Sequence, residues 1–274
     1  NEISDNRQQV ESIKRKIEAV GTPLKDWDIN IYRGVLTGCN EAFIITTEKR
    51  NEILANCQTE EERGRTKELI RPILRGRDIK RYGYEWADLW LIATFPSRHY
   101  DIEEYPAVKT YLLSFGIERL EQTGKKYVIN GEEVKARKKT NNKWFETQDS
   151  INYWQDFLKP KIIWKRVGSI LRFGYNDNGA LGLDSTCFAT GKQIEYLCCV
   201  LNSPMGHYLL KDSPKTGTGD LLISVQAVEP IKVPLINEEE NSKFKNLFKT
   251  YQENEINREV YELYNLSEEE IKFI

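Results

Sequence analysis

Histidine, methionine and paired cysteines are scarce in this 274-residue sequence, and each shortage excludes a kind of chemistry. His99 and His207 are the only histidines, which leaves almost no material for a histidine-based metal site or nucleophile. The five cysteines include no C-x-x-C pair, so we expect buried free thiols in a reducing cytoplasm rather than disulfides or zinc. Met205 is the only methionine and Asn1 opens the chain, so we expect an excised fragment of a longer protein.

Long apolar runs and nucleotide-binding signatures are also missing. No stretch is apolar enough to cross a bilayer and no secretory signal opens the chain, so we expect a cytoplasmic protein without a membrane partner. The motifs G-x-G-x-x-G, G-x-x-x-x-G-K-[ST] and H-E-x-x-H are absent, and we expect no cofactor or metal in this chain. Two E-x-K tripeptides, at 133–135 and 270–272, have a form found in metal-dependent nucleases. Such tripeptides arise by chance in a chain rich in Glu and Lys, so an autonomous nuclease is only an alternative.

Charge is abundant but unevenly distributed. The chain contains 40 Lys and Arg against 42 Asp and Glu, a formal net charge of −2. Residues 237–274 hold five basic and ten acidic residues, and removing that balance of −5 leaves +3 on residues 1–236. Three basic segments, 71–84, 124–144 and 159–175, interleave their cations with aromatic residues. A solvated loop can look like this, but three such segments together favour binding to a polyanion such as DNA.

Hydrophobic periodicity predicts an α+β fold with an N-terminal helix and C-terminal helices. Because the strands do not alternate regularly with long helices, a doubly wound parallel sheet is disfavoured, and we expect a mixed, largely antiparallel sheet core. Residues 1–21 are predicted to be a connector helix, because apolar residues recur every seven positions before Gly21. Residues 22–236 contain the strand-like runs and predicted helices at 103–121 and 192–202, with 204–211 a weaker helical candidate. Residues 237–274 are predicted to form amphipathic helices, the last with a capping box of Ser267 and Glu270.

Longer stretches of the chain resemble a known family. The segments at 31–46 (IYRGVLTGCNEAFIIT) and 69–82 (LIRPILRGRDIKRY), followed by matches at 157–168, 198–204, 223–235 and 258–274, closely resemble the TaqI-like C-terminal specificity domain. That domain is the target recognition domain of adenine-specific DNA methyltransferases and of fused type IIG restriction–modification enzymes. Cys39 departs from the family pattern in a minor way.

The resemblance implies a module that binds double-stranded DNA in the major groove and selects the methylation site. It implies no catalysis by this chain and a preceding methyltransferase domain that holds S-adenosylmethionine, with magnesium where the parent enzyme also cuts DNA. A helix-mediated protein-interaction or specificity subunit is the second alternative.

The expected DNA contacts follow from how such a family varies. Members share a scaffold but read different sequences, so base-reading residues are expected outside the shared signatures. In the signature at 75–78, Asp78 is expected to pair with a nearby arginine and Gly76 to make a tight turn. We expect Lys165 on one face of its strand, with Arg166 and Arg172 on the other. The candidate DNA-binding residues are Lys80, Arg81, Lys135, Arg137, Lys138, Lys139, Lys143, Lys165, Arg166, Arg172 and Lys215.

Overall fold

Helices and short strands follow one another irregularly along residues 1–274, all of which are described by the computed structural model. The helices are α1 Glu2–Val20, α2 Asn40–Phe43, α3 Thr47–Ala55, α4 Glu60–Leu69, α5 Pro106–Leu113, α6 Ile117–Leu120, α7 Ile194–Asn202, α8 Pro204–Leu210, α9 Val225–Val228, α10 Glu238–Lys249, α11 Glu253–Leu263 and α12 Glu268–Phe273. The strands are β1 Thr22–Pro23, β2 Ile29–Arg33, β3 Ile44–Thr46, β4 Ile70–Leu74, β5 Ile79–Lys80, β6 Gly83–Tyr84, β7 Leu89–Ile92, β8 Lys126–Ile129, β9 Glu132–Lys135, β10 Lys161–Lys165, β11 Val167–Gly168, β12 Phe173–Asn176, β13 Leu181–Gly182, β14 Thr186–Gly191, β15 Leu221–Leu222 and β16 Lys232–Val233.

Two four-stranded sheets organise the centre of the fold. The first has the order β12-β10-β14-β2, and all its neighbouring strands are antiparallel. The second has the order β13-β4-β7-β3, in which only the β13–β4 pair is parallel. The predicted α+β class with a mixed, largely antiparallel sheet core is therefore confirmed.

The first sheet lies between two hydrophobic cores. Alternate residues of a strand point to opposite faces, and along β10 Ile163 belongs to one core while Ile162 and Trp164 belong to the other. The core around Ile163 includes the second sheet, and the opposite core includes α7, α10 and α11. Because both faces are covered, β10 is a nearly continuous apolar run rather than an alternating one.

One helical prediction fails at a glycine with positive φ, and two others hold. The stretch 103–121 is predicted as one helix, but α5 and α6 are separate, and Gly116 between them has a φ of 88°. A left-handed backbone ends a right-handed helix, and glycine adopts it without a steric penalty. The helices at 192–202 and 204–211 are confirmed as α7 and α8.

Two carboxylates of α12 bond to the N-terminal helix: Glu269 accepts from Gln9 Nε2 at 3.4 Å, and Glu270 makes the shorter contacts. The first half of α1 is exposed, and Ile13 is its only buried residue. Glu270 of α12 accepts hydrogen bonds from Ser12 Oγ at 2.6 Å and from the ammonium of Lys16. The same carboxylate completes the predicted capping box, since it accepts from the Ser267 amide at 2.8 Å. Glu270 therefore links the two ends of the chain.

Removing the charge of Glu270 is expected to loosen α1. Burial alone raises the pKa of this carboxyl, but the hydrogen bonds from Lys16, Ser12 and Ser267 bring it down to about 2 from 4.5. A depressed folded-state pKa contributes stability above pH 4.5 that is lost as the pH falls towards 2. At pH 7 we expect Glu270→Gln to speed amide exchange in α1 about fivefold or more, because charged hydrogen bonds are lost. The exposed Glu268→Gln is the control, and equal exchange in the two variants would contradict the link.

Candidate nucleic-acid interface

Strands of the first sheet begin or end together along one edge, which runs across the strands. Cα pairing places Lys165 opposite Thr186, Trp164 opposite Phe173, and Cys187 opposite Arg33. The ends of β2 and β10 and the starts of β12 and β14 therefore meet at this edge. Arg166 and Arg172 flank the connection that leaves β10 and enters β12, so the edge collects cations from distant parts of the sequence.

A tight turn at 75–78 adds another exposed cation. Asp78 accepts from Arg75 Nε at 3.1 Å and from Arg75 Nη2 at 2.8 Å, which confirms the expected pairing. The Gly76 amide donates to Ser185 Oγ at 2.9 Å, and a Cβ at Gly76 would lie 2.9 Å from Lys165 Cγ. The lysine stem therefore passes over the turn, while Arg77 stays exposed beside it. We call the set Arg33, Arg77, Lys165, Arg166 and Arg172 the basic edge.

Two loops next to the basic edge support each other. Val167 of β11 pairs with Leu222 of β15, and the Ile223 amide donates to the Arg166 carbonyl at 2.7 Å. Lys215 forms an isolated bridge with Leu221 and is exposed in the same pair of loops. Arg166 is half-exposed, and its buried Nε has no protein partner. The sequence candidates Lys165, Arg166, Arg172 and Lys215 thus lie in one neighbourhood.

The segment 124–144 forms a β-hairpin whose root adjoins this neighbourhood. Asn130 and Gly131 both have positive φ, 51° and 81°, as a two-residue type I′ turn requires. Asp149, in the loop after the hairpin, accepts from the Leu36 amide at 3.3 Å. Burial raises the pKa of Asp149, against the effect of the Leu36 amide and of the nearby charges on Arg33 and Lys138. The root residue Lys138 is therefore close to the basic edge.

Arg137 corrects the sequence prediction, because its side chain cannot reach DNA. It is 4 % exposed, and its three guanidinium nitrogens donate to three main-chain carbonyls. Nε bonds to Leu120 at 2.8 Å, Nη1 to Thr37 at 2.6 Å and Nη2 to Trp144 at 2.8 Å. Burial lowers its pKa to about 10, so it stays charged at neutral pH. Arg137 is a structural residue that holds the hairpin root to the body of the domain.

Gly38 makes room for this arginine. Its φ of 79° is left-handed, and a Cβ there would lie 2.7 Å from Arg137 Cδ.

The other candidates of the segment, which the structure leaves exposed around the hairpin root, are Lys135, Lys138, Lys139 and Lys143.

The candidates Lys80 and Arg81 occupy different surroundings. Lys80 is half-exposed on β5. Arg81 donates to the Asn202 carbonyl at 3.0 Å and lies 3.3 Å from a carboxylate oxygen of Glu253 on α11. Arg81 therefore joins the sheet region to the C-terminal helices while its side chain stays exposed, and its contact with DNA stays a prediction.

The carboxylates of the two E-x-K tripeptides are not assembled into a common site. The Glu133 carboxylate lies 3.7 Å from the Lys126 ammonium within the hairpin, whereas the Glu270 carboxylate forms an ion pair with Lys16 of α1. No group of three or more His, Cys, Asp and Glu side chains is placed to hold a metal ion. No helix combines the length and apolar character needed to span a bilayer.

Several cations of this surface are not among the sequence candidates. Arg33 lies inside a sequence signature shared by the family, and Arg77 lies next to Asp78 in another. The sequence alone therefore favours a scaffold role for both arginines. Lys125 and Lys126 are exposed at the hairpin root opposite Lys135. The Asn-Gly dipeptide at 130–131, which directly follows Val128 and Ile129, is a hairpin signal that would have placed these lysines on one ribbon.

One known family matches the sequence, and solved structures with a similar fold are known. Residues 71–226 match the family described as the TaqI-like C-terminal specificity domain. No curated protein matches the sequence. Among solved structures, the fold is similar to the type IIL restriction-modification enzyme MmeI in complex with DNA, with a TM-score of 0.57 and 11 % identity over 93 % of this chain and 35 % of that chain.

The type IIG restriction endonuclease BpuSI is also similar, with a TM-score of 0.51 and 11 % identity over 90 % of this chain and 28 % of that chain. At this identity the likeness shows the fold alone, and this chain spans about a third of either enzyme's chain. Because the matched segment covers more than half of the chain, this protein belongs to the TaqI-like C-terminal specificity domain family.

Proposed function

We propose that the chain recognises the target sequence of an adenine-specific DNA methyltransferase or fused restriction–modification enzyme. In this proposal duplex DNA lies along the basic edge and the root of the β8–β9 hairpin. The family supports a target recognition role, and one enzyme of similar fold was solved in complex with DNA. One observation supports this DNA-binding surface above all. Arg77, Lys165 and Lys138 are far apart in sequence, yet all three are exposed and lie at or close to the basic edge.

The chemistry of this surface suits a phosphate backbone followed by base contacts. Exposed lysines neutralise phosphates and displace counterions, whereas an arginine fork can also bind the O6 and N7 atoms of guanine. The side chain of Arg166 is half-exposed, but its Nε is buried, so contact with a base would use the terminal nitrogens of the guanidinium. Arg33 is partly neutralised by Asp184 at 3.7 Å and is assigned to positioning rather than to base reading.

The catalytic steps are assigned to another domain. We propose that a methyltransferase domain precedes this chain and holds S-adenosylmethionine, and that the exposed first half of α1 leads towards it. The 274-residue chain would supply DNA binding and no catalytic group.

Salt-dependent binding of the 274-residue chain to duplex DNA tests this function. We expect log K to fall linearly with log salt, with a slope of about −0.9 for each neutralised phosphate. Replacing Arg77 and Lys165 together by glutamine is expected to reduce the slope by about two units. The exposed pair Lys245 and Lys249 on α10 gives a control with the same loss of charge.

Either of two results would contradict the proposal. Affinity that does not change with salt would exclude phosphate neutralisation as the basis of binding. A stoichiometric protein complex without DNA affinity would instead favour the alternative of a helix-mediated interaction subunit.

A further inference from the structure

The β8–β9 hairpin presents one face that is exposed to solvent. Cα pairing places Lys126 opposite Lys135 and Val128 opposite Glu133, so these four side chains share a face. All four are exposed, and Val128, at 78 %, is the most exposed large apolar side chain of the chain. We call this set the outer hairpin face.

The opposite face and the root fix the position of the ribbon. Tyr127 donates its hydroxyl to Glu121 at 2.8 Å, and the Ala136 amide donates to the Lys125 carbonyl at 2.9 Å. The three bonds of Arg137 tie the segment after β9 to three separate parts of the main chain. A two-stranded ribbon is only marginally stable by itself, so this anchoring is what allows the hairpin to keep a defined direction.

Charge along the ribbon is divided between root and tip. The root carries lysines on both strands and in the adjoining loops, at positions 125, 126, 135, 138 and 139. The outer face near the tip instead carries one carboxylate, Glu133, which lies beside Val128 and 3.7 Å from the ammonium of Lys126, while the exposed Glu132 follows the turn on the opposite face. This order matches a DNA groove, where phosphates line the rim and the base edges lie on the floor.

The dimensions of the ribbon also fit the major groove of B-DNA. Four residues per strand at about 3.3 Å each give a ribbon about 13 Å long, and the strands lie about 4.8 Å apart. The major groove of B-DNA is about 12 Å wide and about 8.5 Å deep and admits a two-stranded ribbon. The minor groove is narrower, about 6 Å wide, and distinguishes mainly A·T from G·C pairs, so the major groove offers the ribbon more room and more sequence information.

We infer that the β8–β9 hairpin enters the major groove and that Glu133 and Val128 read base pairs there. This inference rests on the proposed function and adds the element that confers specificity. A carboxylate accepts a hydrogen bond from the N4 amino group of cytosine, and an apolar side chain contacts the C5 methyl group of thymine. Lys126 and Lys135 contact phosphates at the groove rim.

Selection of duplexes from a randomised DNA pool by the 274-residue chain tests this inference, because the selected sequences report the base preference at every position. We expect Glu133→Gln to lose the preference for cytosine at one position by about fivefold or more. The same variant binds non-target DNA more tightly, because a negative charge leaves the groove. Val128→Ala is expected to weaken a thymine preference at a neighbouring position.

Matched controls distinguish loss of a base contact from the general effect of removing a negative charge or an exposed apolar side chain. Glu262→Gln on α11 removes the same charge from an exposed helix, and Ile3→Ala shortens the exposed apolar side chain of Ile3 on α1. Both controls should select the wild-type consensus. If Glu133→Gln and Val128→Ala also select that consensus, the hairpin inference is wrong, although salt-dependent binding still supports the DNA-binding proposal. If the wild-type chain selects no duplex and does not bind DNA at low salt, the proposed function itself fails.

Discussion

Replacing Arg137 by methionine is expected to lower the free energy of unfolding by about 3–5 kcal/mol, because three main-chain carbonyl acceptors, two of them in buried hydrogen bonds, lose their donor at once. The guanidinium also lies 5.0 Å from the centre of the Phe43 ring, so the loss includes a buried cation–π contact. Arg137→Lys is expected to recover little of this stability. A single ammonium cannot reproduce the planar fork that reaches Leu120, Thr37 and Trp144.

Urea unfolding of the two Arg137 variants beside Lys138→Met measures this effect. Lys138 is the exposed neighbour, and its replacement should change the free energy of unfolding by no more than about 0.5 kcal/mol. Amide exchange should also become faster in β8 and β9, because the root of the hairpin loses its attachment. Equal stability of Arg137→Met and Lys138→Met would show that Arg137 does not hold the root.

The sequence predicted the scaffold better than the binding surface. Apolar runs located the strands β2 and β10, and the capping box located the start of α12, because these signals depend on neighbouring residues. Gly116 was the exception: its positive φ divides a predicted helix into two. Whether a glycine is left-handed depends on the packing around it, and the sequence alone does not show that packing.

The candidate site was harder to predict because a cation's role depends on its burial. Four of the five residues at 135–139 are basic, yet Arg137 is buried while the lysines around it are exposed. Arg81 likewise follows Lys80 directly but bonds to Asn202 and approaches Glu253, which is 172 positions further along the chain. Counting charges identifies a basic segment, whereas only the tertiary structure separates the members that hold the fold from those that face solvent.

The basic segment 159–175 shows the same division within one strand. Lys165 is exposed where β10 ends, whereas Lys161 is fully buried where it begins. Lys161 Nζ donates to the Phe157 carbonyl and to Asn176 Oδ1, each at 2.8 Å, and no carboxylate pairs with it. Burial, with the nearby charge of Arg71, lowers the pKa of this amine to about 7 from 10.5.

The buried amine of Lys161 makes the free energy of unfolding depend on pH. Above its folded-state pKa the amine is neutral in the folded chain but still charged in the unfolded chain. Between pH 7 and 10.5 the unfolded chain binds a proton that the folded chain does not bind, so the free energy of unfolding rises with pH. The slope has an upper limit of about 1.4 kcal/mol per pH unit for one proton. Other groups titrate in the same range, so the contribution of Lys161 must be measured as a difference between two chains.

Lys161→Met is expected to remove this dependence. The variant lacks the titrating amine, so the stability difference between wild type and variant should shift by about 2 kcal/mol in favour of the wild type from about pH 7 to about pH 9. Urea unfolding at several pH values in this range measures the shift, with the exposed Lys165→Met at the other end of β10 as the control. The control curve should run parallel to that of the wild type. A Lys161→Met curve that is also parallel would mean that Lys161 remains protonated in the folded chain throughout this range, and that its two hydrogen bonds offset the effect of burial on its pKa.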